Sequence, residues 1–350
     1  MREARTQFPY CTSKRVWETL ISLLPARPAT QVNRLSVMSA RIRHALVVLD
    51  PASKDQPALE RAAWFAERTG SSLELFICDY DQELAEFGPF DAEALDGARR
   101  RLIATHVRTL KEHARRLSAR GLSVRVDAHW GHPLATGIVR KAIACNADLV
   151  FKATPYDERL RRSLFSNVDW TLIRSCPARL WLVKPRAAAE GAPVVAAVDP
   201  ARANRAASFD DRIIATAEGL RCAFGGELEV FHAYDLAPSL ATSRSLITPL
   251  AAPFHEVTTV LRRRHEEAVA ELIRRHALPR YRLQIHEGPA GRMMAAVCEQ
   301  TNAGLIVMGA LSRTGWPERY LGSTAEHVLD RLPCDVLIVP AESTNDAVIA

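Results

Sequence analysis

Apolar and polar positions alternate along this chain in a strand–helix rhythm that runs twice. An apolar segment at Ala45–Leu49 ends in Asp50-Pro51 and predicts a first strand. Helical periodicity over Pro57–Thr69 puts Leu59, Ala62, Ala63 and Ala66 on one face, with Gly70 placed as its C-cap. Strand Leu73–Cys78 follows, then a long charged helix from about Ala92 to Ala119 stopped by Gly121. Strand Val124–Ala128 comes next. Gly131-His132-Pro133 opens a further helix, with proline expected in its first turn. Strand Asp148–Lys152, a helix over Val168–Arg174 and strand Arg179–Val183 close the unit.

Pro185–Pro193 reads as a linker, and the pattern then restarts. Strand Val194–Val198 ends in Asp199-Pro200, as the first strand ended in Asp50-Pro51. A helix over Ala206–Cys222, strand Leu228–His232, a helix over Thr258–His276 and strand Arg282–His286 follow. Gly288-Pro289 opens the next helix, and strand Gly304–Met308, a helix over Ser323–Arg331 and strand Val336–Val339 finish the chain. The closing parts of the units superpose without a gap at an offset of 156, setting Ala147 over Ala303, Pro177 over Pro333 and Val183 over Val339. A repeat this long means duplicated domains, 38–185 and 194–341. Alternating strands and helices imply α/β architecture, two tandem doubly wound domains with parallel five-stranded sheets. Ligands of such sheets sit at the switch point beyond the strands' carboxyl ends, which places Asp50 and Asp199 at two mouths.

Composition narrows the class. Of the 350 residues, 48% are hydrophobic and 25% charged, ordinary globular values, and no apolar run is long enough for a membrane span. The net charge is +6, yet residues 1–37 carry six basic and two acidic side chains, leaving +2 for the rest. That balance argues against DNA, RNA or a membrane as partner. Residues 1–37 hold Pro9, Pro25 and Pro28 and no strand–helix pattern. They are expected to be a disordered extension or an upstream mis-start, with Met38 as the natural first residue. Seven scattered cysteines without C-x-x-C spacing favour a reducing, cytoplasmic setting. The histidines show no metal-ligand spacing, so no metal is expected, and neither a catalytic triad nor a G-K-[ST] phosphate loop is discernible.

Three sets of segments carry a family signal: Leu46–Pro51 followed by Asp55–Leu59, Asp169–Pro177 with Trp181–Lys184, and Gly315, Leu321–Glu326 and Cys334–Val339. Together they resemble the universal stress protein family, and among it the tandem E-type members. The resemblance implies the adenine nucleotide alpha hydrolase-like fold and a cytoplasmic stress-response module, for starvation, oxidative or DNA-damage survival, without robust catalysis. It also implies an intramolecular pseudo-dimer joined through the last strands of each half, which could pair again as a homodimer.

The family's nucleotide-binding branch carries Gly-x2-Gly-x9-Gly-Ser after the fourth strand. Glycines let the backbone approach phosphate, and the final pair opens a helix whose free N–H groups favour an anion. In the second domain Gly309, Gly322 and Ser323 fit, while Ser312 stands where glycine is expected. Serine there either strains a left-handed backbone or serves as a small residue. The resemblance places Val198 and Asp199 at base and ribose and Ala233 along the pocket, with Met308 and Thr324 as further candidates; Arg313 either reaches a phosphate or is solvated, and the Gly-Ser pair serves either as a phosphate site or as a purely structural helix start. ATP or AMP is the cofactor it implies, bound as a switch or weakly hydrolysed. In the first domain Ala153, Tyr156, Ser166 and Asn167 replace the loop, and Asp169 stands near the helix start, so that site is degenerate. Lys152 there either points into the old pocket, paired with Asp50, or snorkels to the rim. Leu236–Val257 is long and apolar, with Leu240, Leu246, Ile247, Leu250 and Phe254. It reads equally as a surface loop or as a lid over nucleotide or a small apolar ligand.

Overall fold

A computed structural model describes residues 42–86, 92–157, 162–163, 165–185, 190–201, 207–235, 254–276, 281–310 and 329–340. The extension 1–37, the loop residues 236–253, and Ser312, Arg313, Gly322, Ser323 and Thr324 lie outside the described residues.

The first half runs β1 (His44–Val48), α1 (Pro57–Thr69), β2 (Ser72–Asp79), α2 (Gln82–Glu86), α3 (Ala92–Ala119), β3 (Val124–Trp130), α4 (Leu134–Ala144) and β4 (Leu149–Ala153). A two-residue antiparallel pair, β5 (Tyr156–Asp157) and β6 (Arg162–Ser163), follows β4, then α5 (Asn167–Ser175) and β7 (Arg179–Val183). The second half runs β8 (Val194–Ala197), α6 (Ala207–Phe224), β9 (Leu228–Tyr234), α7 (Phe254–His276), β10 (Tyr281–Glu287), α8 (Ala290–Gln300), β11 (Leu305–Gly309) and β12 (Asp335–Val339). Residues 329–331, just before β12, are helical.

Gly70 ends α1 in the left-handed conformation, φ 72°, and returns its N–H to the Ala66 carbonyl. The prolines before α4 and α8 act differently from expectation. Pro133 and Pro289 are N-caps with non-helical backbone, outside the first turn rather than within it. An N-cap residue has non-helical φ/ψ, which proline's fixed φ also allows.

All ten long strands form one sheet, in the order β10-β9-β8-β11-β12-β7-β4-β1-β2-β3. Within each half every pairing of this sheet is parallel, and the halves meet where β12 runs antiparallel to β7, Leu337 opposite Trp181. The two five-stranded units are therefore related by a pseudo-two-fold at the centre of a shared sheet. Residues of the inner strands are buried on both faces, which is why those strands read as continuous apolar runs, whereas edge strand β3 is only partly buried. Ala45, Val47 and Leu49 pack on one face beside α1, α3 and α6; Leu46 and Val48 pack on the other beside α4, α5 and α8.

The junction has an apolar half and a polar half. Trp181 is fully buried, stacked on Phe151 at 5.0 Å and on Phe224 of the second half at 6.0 Å, while Trp64 of α1 meets Phe224 edge-on at 4.6 Å. Beside these rings Asp335, 2% exposed, accepts from Trp181 Nε1 (2.8 Å), from the Lys184 backbone N–H (3.0 Å) and from the Arg61 guanidinium of α1. Lys184 Nζ donates to the Leu329 and Leu332 carbonyls. Burial raises the Asp335 carboxyl above its ordinary value, with Arg61 opposing. It lowers the Lys184 ammonium.

Candidate functional site

The strand register makes the two mouths directly comparable. Lys152 sits opposite Val48, as Met308 sits opposite Ala197. Leu49 and Val198 extend the first strands identically, their N–H groups bonding Phe76 and Phe231 carbonyls at 2.9 Å. Asp50 and Asp199 follow. Cys78 and Ala233 are the penultimate residues of the second strands, at matching positions, and Thr154 corresponds to Ala310 beyond the fourth.

In the second half the floor of the mouth is made of small side chains. Ala197, Ala233 and Ala310 are partly exposed, and Met308 underlies them at 7% exposure. Val198 is buried, and Gly309 ends β11. Ala310 N–H bonds the Val339 carbonyl at 2.8 Å, which ties the start of the following loop to β12. The Asp199 carboxylate is 41% exposed, its backbone N–H held by buried Asp210 at 3.2 Å.

Behind Asp199 lies a polar column that sequence reading leaves undivided. His232 is fully buried, with Nδ1 3.0 Å from the Val198 carbonyl oxygen and Nε2 3.0 Å from His265 Nδ1. Tyr234 stacks on His265 at 4.6 Å and 13°. Burial, and then the neighbouring His232, push the His265 imidazole below its ordinary pKa, with Asp199 opposing. Burial raises the Tyr234 phenol, although Arg262 works against it. A lone histidine on β9 suggests a core residue. Only the fold brings α7 over it and shows His265 as its partner.

In the first half the corresponding positions are filled. Val48, Cys78 and Thr154 are all buried where the second half has alanines. Cys78 Sγ comes so close to Gly137 of α4 that a Cβ there would meet it at 2.5 Å. Burial and neighbouring Asp79 raise that thiol to about 11.

Lys152 corrects an expectation. It does not pair with Asp50. Its Nζ lies 2.7 Å from Asp169 Oδ1 and donates to the Ala153 carbonyl at 3.0 Å. Asp50 is exposed, and its carboxylate instead accepts from the Ala52 N–H at 2.9 Å, a local turn. Asp169 has no exposure at all. It is the third residue of α5 and completes a capping box, its Oδ2 accepting from Ser166 N–H and Oγ–H, each at 2.7 Å, while Ser166 Oγ accepts from the Asp169 N–H. The free N–H groups and positive dipole of this helix start thus already have a carboxylate, and that carboxylate has its own ammonium. Asn167 is exposed on the first turn, and Ala153 packs against the core.

Among the described residues no helix is long and apolar enough to cross a membrane.

Against this geometry the relatives of the chain can be placed. The model of the universal stress protein family matches twice, over residues 41–184 and 194–340. Universal stress protein E of Photorhabdus laumondii is 29% identical over 306 residues, spanning 86% of this chain and 95% of that protein. The Escherichia coli K12 protein of the same name is 26% identical over 303 residues, spanning 86% and 94%. Among solved structures, a putative universal stress protein from Pseudomonas aeruginosa UCBPP-PA14 superposes with a TM-score of 0.67 at 25% identity, covering 87% of this chain and 95% of that one. A universal stress protein from Archaeoglobus fulgidus shares the fold, with a TM-score of 0.57 at 18% identity over 85% of this chain and 98% of that one. The chain belongs to the universal stress protein family, with two domains of that family in tandem and relatives that are stress proteins of the E type.

Proposed function

We propose that this stress-response protein works in the cytoplasm as a binding module, taking an adenine nucleotide, ATP or AMP, at the second-half mouth alone. The observation that carries the reading is the contrast between the mouths. Three alanines and an exposed aspartate occupy one; a valine, a cysteine, a threonine and a buried Lys152–Asp169 pair fill the other. A flat base needs a floor of small side chains, and a ribose needs an acceptor at the strand end. Val198, Asp199, Ala233, Met308 and Gly309 supply these, and the phosphates would extend toward Ser312, Arg313, Gly322, Ser323 and Thr324. Six free thiols among the described residues support the reducing compartment.

Titration of the purified chain with ATP and AMP by calorimetry tests this. One nucleotide per chain is expected. Ala233→Leu should abolish binding by filling the floor, and Asp199→Ala should weaken it about tenfold or more, from loss of a charged hydrogen bond of about 1.5–3 kcal/mol. Asp50→Ala should change nothing, and Ser312→Gly should tighten binding. No uptake of either nucleotide, or uptake indifferent to Ala233→Leu, would overturn the proposal.

A further inference from the structure

At the opposite, amino-terminal edge of the first half, three side chains from separate elements converge. They are His44 at the start of β1, Glu74 near the start of β2 and Cys145 at the C-cap of α4. One ligand atom from each lies within 4.8 Å of the others, and His44 Nε2 is 3.5 Å from Glu74 Oε2. Around a tetrahedral zinc ion, nitrogen and oxygen ligands at about 2.0–2.2 Å stand roughly 3.3 Å apart.

The surroundings orient each donor. His44 Nδ1 is 2.9 Å from Ser72 Oγ; with that nitrogen bonded to the hydroxyl, the Nε2 lone pair turns toward Glu74. The His44 backbone N–H donates to Asp148 Oδ2 at 3.0 Å, fixing where the ring starts. Glu74 is 6% exposed, and its two oxygens are divided in role. Oε1 is held by the Lys141 ammonium, and Oε2 faces His44. Lys141 keeps a second carboxylate, Asp127, at 2.7 Å, so its charge is balanced without Oε2. Cys145 follows the last turn of α4, whose carbonyl end carries negative partial charge. His44 and Cys145 are both only partly buried, which leaves a way in for solvent and for an ion.

The repeat supplies an internal comparison. The glutamate is retained in the second half as buried Glu229, which accepts from Gln284 Nε2 at 3.1 Å. The positions of His44, Cys145 and Lys141 are there Pro193, Thr301 and Val297. The buried glutamate is thus common to both halves, while the imidazole and the thiol beside it belong to the first alone.

We propose that His44, Glu74 and Cys145 form a binding site for a divalent ion of the zinc class, with a fourth position open to solvent. Imidazole and thiolate select zinc over magnesium or calcium. Binding releases the Cys145 thiol proton to solvent. The ion's two positive charges then meet Glu74 and the Cys145 thiolate, while Lys141 and Asp127 balance each other, so the cluster is neutral. The site is independent of the nucleotide reading.

The test uses the full chain, reduced, without an affinity tag and stripped of metal, titrated with Co²⁺ and then Zn²⁺. One Co²⁺ per chain should bind with a thiolate-to-cobalt charge-transfer band in the near ultraviolet, and Zn²⁺ should displace it. Cys145→Ser should remove the band, and His44→Gln and Glu74→Gln should each weaken Co²⁺ binding at least tenfold. Zn²⁺ should also slow alkylation of Cys145 but not of exposed Cys222. A band that survives Cys145→Ser, binding without a thiolate band, or no binding of either ion would each overturn the proposal. Circular dichroism of Cys145→Ser separates loss of the site from loss of the fold.

Discussion

Asp335→Ala puts the junction between the halves under test. Asp335 is 2% exposed and Arg61 5%, so both charges sit out of water. Removing the carboxylate strips the guanidinium of this partner in a buried setting, a loss of about 3–5 kcal/mol. It also leaves the Trp181 Nε1–H and the Lys184 backbone N–H without their acceptor, at about 1–3 kcal/mol each when buried. These costs overlap, because one rearrangement can relieve several of them, and about 4 kcal/mol is the net expectation. At about 2 °C per kcal/mol for a chain of this size, the thermal midpoint should fall by roughly 8 °C. Urea unfolding followed by tryptophan fluorescence is suited to the measurement, since Trp181 is fully buried at the same junction. Arg61→Ala and the double variant complete a cycle, and the coupling should reach about 2 kcal/mol. A loss below about 1 kcal/mol for Asp335→Ala, or strictly additive single losses, would refute the view that this pair locks α1 of one half to β12 of the other.

Two further outcomes follow from the mouths. Lys152→Met removes the ammonium from Asp169, which has no solvent exposure, and should cost about 3 kcal/mol in urea unfolding, whereas Lys152→Met with Asp169→Ser should recover most of it. His265 has a lowered folded pKa, so its contribution is fully present above the unfolded value of 6.5 and is lost as pH falls below 6.5 toward the folded pKa. His113 and His286, also lowered by burial, add to the same acid-side slope. His265→Gln should flatten the stability profile below pH 6.5 in proportion to one proton, and an unchanged slope would show that His265 is not held neutral.

The sheet was legible because its signal is local and repeated. Apolar runs of strand length, helix periodicity and caps such as Gly70 lie within single windows of chain, and the second copy checks the first. The β7–β12 pairing came instead from resemblance, since antiparallel contact between two buried strands leaves no mark on either one. The β5–β6 pair and α2 escaped because two to five residues carry no measurable period. Lys152 shows a different limit. Sequence places it at a strand end next to Asp50, but the closer anion comes from α5, which the crossover brings over the strand. His265 and Cys145 belong to the same class. Their partners lie 33 and 71 or more residues away, and spacing along the chain says nothing about them.

The two halves have diverged in a coherent direction, and the chemistry of each change explains the next. A carboxylate caps α5 from within, which disfavours a further anion at that helix start, and Val48, Cys78 and Thr154 are buried where the second half has alanines. Buried Asp169 in turn requires a cation, which Lys152 supplies in place of a methionine. The junction is asymmetric in the same way. Asp335 opens β12 where Arg179 opens β7, and Arg179 Nε donates to the Thr216 hydroxyl at 3.3 Å. Two identical copies could not place an aspartate on one side of the pseudo-axis and an arginine on the other. Fusion into one chain permits that asymmetry, and with it the two mouths carry different linings, valine, cysteine and threonine in one half and three alanines in the other.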